Sequence, residues 1–124
     1  MALHTDIPTR AEIDRLLTAT ARHFVTIYLP THRLTQESAQ DRLVLRDLTR
    51  QAVEQLQAVG AAADDISAIA DNLLHLVEDD DDFWVDQADS LAIFASPDRF
   101  ETHRLPNQLS AVVEVSDRFH IQPL

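Results

Sequence analysis

The chain has no cysteine, no lysine and one glycine. Without cysteine there is no disulfide framework, no thiolate zinc site and no cysteine nucleophile, and the redox compartment is left open. A single glycine excludes a phosphate-binding P-loop, a dinucleotide fingerprint and a G-x-S-x-G nucleophile elbow, each of which needs at least two. No apolar run approaches the roughly 18 residues of a membrane span. The N-terminal MALHTDIPTR has neither a basic n-region nor an apolar h-region, so no signal peptide is expected. A soluble cytoplasmic protein without a membrane partner is the expectation.

Positive charge is scarce as well. Ten arginines face 21 acids, a formal net charge of −11. That balance opposes non-specific nucleic-acid binding, which depends on neutralising phosphates. The acidity is concentrated: Gln51 to Asp98 holds 12 acids and no basic residue, leaving nine acids and ten arginines elsewhere. The length of 124 residues suits one domain, residues 1–124, with a core that needs no staple.

Thr9-Arg10-Ala11-Glu12 fits the T-x-x-E capping box, and Ile13, Leu16, Leu17 and Thr20 then share a helical face, so a helix is expected over about residues 10–20. Phe24 to Leu29 puts Val25, Ile27 and Leu29 on one face and Phe24, Thr26 and Tyr28 on the other. Both faces are largely apolar, as in a central strand covered on both sides. Pro30 cannot donate to a sheet ladder and is expected to end the strand. Ser38-Ala39-Gln40-Asp41 is a second capping-box-like start, followed by an apolar stripe of Leu45, Leu48, Ala52, Leu56 and Val59. Gly60 is the expected left-handed helix stop. Asp64 and Asp65 open a further helix whose stripe is Ile66, Ile69, Ala70, Leu73, Leu74 and Val77. Strands are expected at Ser90–Ala95, Arg99–Leu105 and Ala111–Val115, with a turn at Ser96-Pro97-Asp98. His120 to Leu124 reads as the start of a further element. The fold class is α/β, an α+β sandwich: a four- to five-stranded mixed sheet with an N-terminal helix and a two-helix hairpin.

Candidate chemistry is sparse. The six histidines, at 4, 23, 32, 75, 103 and 120, include no i, i+4 pair, so no H-x-x-x-H metal site is predicted. Glu78-Asp79-Asp80-Asp81-Asp82 offers oxygen ligands for a hard cation but lacks D-x-D-x-D-G spacing, and reads as a solvated loop. It follows a helix C-terminus, where acids oppose the dipole. Either the helix frays early or something outside the domain compensates. No serine, histidine and acid come together in sequence, so no catalytic residue, cofactor or enzyme activity is predicted. Arg42, Arg46 and Arg50 fall at i, i+4, i+8 beside the apolar stripe, with His32 and Arg33 just upstream. These five form the candidate RNA- or ligand-binding surface. The competing reading pairs the arginines with Asp47, Glu54 or the 78–82 run. Phe83 and Trp84 could stack on a base or staple the hairpin to the next strand, and the staple is favoured.

The order VTIYLPTHR, arginine-bearing helix hairpin, DDDFWVDQADSLAIFASPDRF and SDRFHIQPL resembles the N-terminal region of the bacterial proteins related to archaeo-eukaryotic peptide-chain release factors. The resemblance spans residues 20–124 and rests on several segments agreeing in order. It implies an N-terminal piece of a longer multidomain protein, associated with translation through a ribosome or RNA partner. The family's functional residues do not carry over. The release factors read stop codons with Asn-Ile-Lys-Ser at the hairpin tip, where this chain has Gly60 to Ser67 with Asp64 and Asp65. The Gly-Gly-Gln loop of the family's middle domain cannot lie in a chain with one glycine. Two rivals stand beside this reading. One is an acidic interaction or dimerisation module, favoured by charge complementarity to a basic protein. The other is a cation-dependent enzyme using Glu78–Asp82.

Overall fold

A computed structural model describes residues 2–5, 9–11, 13, 23–32, 38–78, 83–84 and 87–116. The elements are β1 (Ala2–Thr5), β2 (Phe24–Pro30), α1 (Ser38–Ala58), α2 (Ala63–Glu78), β3 (Ser90–Ser96), β4 (Arg99–Leu105) and β5 (Val112–Ser116). The strands form one sheet in the order β1-β4-β3-β2-β5. β1 runs parallel to β4, and every other neighbour pair is antiparallel. The sheet is therefore mixed and five-stranded, with the helix hairpin packed on one face. The expected N-terminal helix is represented by residues 10, 11 and 13, where the Ile13 N–H donates to the Thr9 carbonyl at 3.0 Å. The rest of that helix, and the segment from His120 to Leu124, lie outside the described residues.

β2 lies between β3 and β5, and Phe24 to Leu29 are all buried. Val25, Ile27 and Leu29 join Leu45, Leu48, Leu56, Leu73, Trp84 and their neighbours in the main core beneath the hairpin. Phe24 and Tyr28 join Ala92, Phe94 and Leu105 on the opposite face. The period-two pattern thus divides as expected. Pro30 still pairs with Ser90 in the register. β2 ends at Pro30; beyond it the Thr31 N–H still donates to Asp89 O at 3.0 Å, one step further along the same register, and its Oγ1 to Ala88 O at 2.8 Å.

Two hairpin assignments need correction. Leu76, not Leu74, belongs to the buried stripe of α2: Leu76 is buried among Ile69, Leu73 and Val77, while Leu74 is exposed. The helix faces the sheet with positions 69, 73, 76 and 77, a stripe one step around from the one that apolarity alone suggests. Val59, placed on the α1 stripe, is 54 % exposed because it follows the last helical residue. Gly60 stops the helix at φ +76°. The Ala61 N–H reaches Leu56 O and the Gly60 N–H reaches Gln57 O, a complete Schellman motif. Ala61 packs on the core cluster that contains Leu56. A Cβ at position 60 would meet no atom within 4 Å, so the cost of a side chain there is one of backbone conformation. Gly60→Ala is expected to destabilise the domain by about 1 kcal/mol in urea denaturation, and Gly60→Asn by less.

Tyr28 is the one tyrosine of the chain, 1 % exposed and edge-on to Phe94 at 6.1 Å. Burial pushes its phenol well above the usual range, and the Glu114 charge on β5 adds to this. The folded state holds the proton more tightly than the unfolded chain does. The resulting stability is present below about pH 10 and is lost as pH rises above it. A phenolate absorbance titration is expected to show no ionisation near pH 10 until the protein unfolds.

Candidate functional site

The two ends of the hairpin differ. The tip exposes Ala62, Ala63 and Asp64, small or acidic residues. The open end joins the first turns of α1 to the last turn of α2, and the candidate residues gather there. Arg33 lies outside the described residues.

His32 follows Thr31 out of β2 and is tied to α1. Its backbone N–H donates to Asp41 Oδ2 at 3.0 Å, and its ring Nδ1 lies 2.7 Å from Asp41 Oδ1. Asp41 is in the first turn of α1 and 2 % exposed, while the His32 side chain is 44 % exposed. The carboxylate thus holds the His32 ring through Nδ1 and the backbone through its N–H. The capping-box reading sent the Asp41 side chain back toward Ser38; both its oxygens go to His32 instead. The carboxylate still lies at a helix N-terminus, where the dipole favours it. The pair is an oriented acid–histidine dyad. The neighbouring Thr31 hydroxyl is turned away from it and donates to Ala88 O.

The three arginines have three different environments. Arg50 donates to Asp47 and to Glu54, both at 2.7 Å, so this end of the strip is neutralised within its own helix. Arg50 holds the Asp47 carboxyl below the usual carboxylate range, and Gln51 adds a hydrogen bond in the same direction. Any stability from this pair is present above the ordinary carboxylate value and fades as pH falls through the lowered one. Arg50→Ala is expected to return the Asp47 pKa toward its ordinary value in an NMR titration with little change in the denaturation midpoint, because the group is fully exposed.

Arg46 lies 3.8 Å from Glu78, with both side chains more than half exposed. Arg42 donates to Val77 O at 3.4 Å and stands 6.0 Å above the Trp84 ring. Two cations from α1 therefore meet the C-terminal turn of α2. They place positive charge from inside the domain at the last carbonyls of α2 and beside Glu78. α2 continues through Glu78; Asp79 to Asp82 lie outside the described residues. Beneath Arg42, Trp84 is 1 % exposed, donates Nε1–H to Leu76 O at 2.7 Å, and meets Phe83 edge-to-face at 5.2 Å. It is the staple, and its ring is closed to a base.

Ala39, Arg42, Leu43 and Arg46 on α1 and Val77 and Glu78 on α2 line an open groove of about 450 Å³. The structure thus brings Arg42 and Arg46 together, places Arg50 outside the groove, and ties His32 to Asp41. Sequence reasoning missed Asp41, nine residues from its partner, and the placement of Trp84 under Arg42. It also missed a buried group on the other sheet face, where Glu101 lies 4.0 Å from His103 and 3.9 Å from Arg99. The i, i+2 spacing of these residues on β4 is the signal that was available. Among the described residues no group of three or more acidic or histidine side chains is arranged to hold a metal ion, and no helix is long and apolar enough to cross a membrane. No protein-family model matches the chain, and no curated protein matches it in sequence.

Proposed function

We propose that the chain is the non-catalytic N-terminal domain of a release-factor-like bacterial protein, associated with translation through a ribosomal or RNA contact. The observation that carries the reading is the ordered set of segments: VTIYLP as β2, an arginine-bearing hairpin, and FW followed by the β3–β4 strands. The contact surface is the open end of the hairpin. The acidic tip repels phosphate within a Debye length of about 8 Å, so stop-codon reading is not part of the proposal. The chain is expected to pellet with ribosomes at about 50 mM salt and to be released in part by about 200 mM. Failure to pellet at either concentration, beside an equally acidic control protein, would sink the reading.

A second reading, an acidic interaction module, is favoured by α2, which exposes Asp64, Asp71 and Glu78 and has no arginine or lysine. Ribosome binding that resists about 200 mM salt and disappears on combined Arg42, Arg46 and Arg50→Ala substitution counts against it.

A further inference from the structure

We propose that the solvent face of α2 docks a basic helix of a partner protein, one that repeats lysine or arginine every seven residues. The inference rests on the acidic-module reading above and gives that reading a surface and a partner.

Two stripes run along α2. Ile69, Leu73, Leu76 and Val77 are buried. Asp64, Ser67, Asp71, Leu74 and Glu78 are exposed. The exposed residues are spaced alternately three and four apart, the spacing at which one helix lies along another. The three acids fall at every seventh position, about 10.5 Å apart at a rise of about 1.5 Å per residue. A partner helix covers one heptad over the same rise, so its cations come level with all three.

The fold gives these charges little to do. Asp64 is in the first turn, where the dipole favours an acid. Asp71 is in the middle of the helix, and among the described residues it has no ion pair or side-chain hydrogen bond. Aspartate is also a weaker helix former than alanine or glutamate. Glu78 is in the last turn, where the dipole opposes it. Its ion pair among the described residues is the exposed 3.8 Å approach of Arg46. α2 has no arginine or lysine of its own to offset the three. Leu74, 37 % exposed among these acids, offers contact to an apolar side chain of the partner. Beside Glu78, the groove of about 450 Å³ that Leu43 and Val77 help to line has room for a second.

Charge selects the class of partner. α2 lies within Gln51 to Asp98, which has 12 acids and no arginine or lysine. Phosphodiesters and anionic lipid surfaces are repelled there, and a basic protein is attracted. A second copy brings the same −11 and an Arg50 already closed by two carboxylates.

The test titrates the full chain into a fluorescein-labelled peptide of about 21 residues, three heptads with two lysines and one leucine on one face and alanine and glutamine elsewhere. A scrambled isomer of the same composition is the control. Anisotropy is followed at several salt concentrations, and circular dichroism checks the fold of each variant. The heptad peptide is expected to bind more tightly than the isomer and to weaken as salt rises. Asp71→Asn is expected to weaken binding by about threefold, the size of one exposed charge pair, and Asp71→Lys by about tenfold. Leu74→Ala weakens it without changing the salt dependence. Asp98→Asn removes an equal charge from the turn between β3 and β4 and leaves binding unchanged. Equal binding of the scrambled isomer, equal binding by the Asp71→Asn chain, or displacement by spermine as effective as by unlabelled peptide overturns the proposal and leaves the broader acidic-module reading standing. Absence of binding of either peptide at about 50 mM salt removes that reading as well.

Discussion

Trp84→Ala is expected to cost about 3–5 kcal/mol of folding stability, the range for deleting a buried aromatic side chain. The expectation rests on three contacts made at once. The ring is 1 % exposed. Its indole N–H satisfies Leu76 O near the end of α2. Its faces and edges meet Phe83, Arg42 and the core cluster. Deletion leaves a void under the hairpin and a buried carbonyl without its donor, two penalties that add. A domain of this size has roughly 5–15 kcal/mol in total, so the variant lies near the limit of folding. Urea denaturation followed by circular dichroism measures it, since the substitution removes the fluorophore. Trp84→Phe keeps most of the volume and loses only the hydrogen bond, for an expected cost of about 1–2 kcal/mol. If Trp84→Ala proved as mild as Trp84→Phe, the staple would be unimportant to the packing.

Asp41→Ala is expected to cost about 2–3 kcal/mol. Hydrogen bonds to a charged group contribute about 1.5–3 kcal/mol, and a carboxylate in the first helical turn adds up to about 1 kcal/mol of dipole interaction. The sum is reduced because His32 is partly exposed and water replaces part of what its ring loses. His32→Ala is expected to cost less, about 1–2 kcal/mol, since the backbone N–H at position 32 still reaches Asp41. The double variant is expected to fall short of the sum of the singles by about 1 kcal/mol, the coupling carried by the ring–carboxylate contact. Strict additivity would mean that the 2.7 Å contact carries no energy. The dyad fixes the exit of β2 against the start of α1, so Thr31 and His32 act chiefly as structural devices.

Much of the fold was legible in the chain, and particular residues show why. Gly60 was identifiable as a helix stop because only glycine takes positive φ without cost, and it does so at φ +76°. Phe24 to Leu29 declared its two faces through a period of two. β4 was placed at Arg99–Leu105 after the Ser96-Pro97-Asp98 turn, and it lies there. β1 was not foreseen. Ala-Leu-His-Thr has no patterned alternation, and only its parallel pairing with Phe100 to His103 makes it a strand. Leu74 and Leu76 were exchanged because both are leucines near the stripe, and the rotation of α2 about its axis is set by what it packs on.

For the candidate site the division is sharper. The spacing of Arg42, Arg46 and Arg50 was visible, and so were the acids that neutralise Arg50, because i, i+3 and i, i+4 partners lie on the same helix. The sequence by itself determined β2 to β5, the helix hairpin, their order, the helix stop and the local ion pairs, all of which depend on residues a few positions apart. Tertiary structure alone decided that His32 belongs to Asp41, that Arg42 and Arg46 brace the end of α2, and that Trp84 lies beneath Arg42. Those pairs are joined by contacts of a few ångströms across 9 to 42 positions of chain. Nothing in local propensity encodes such closeness; it follows from burying the hairpin and the sheet against one another in a single core.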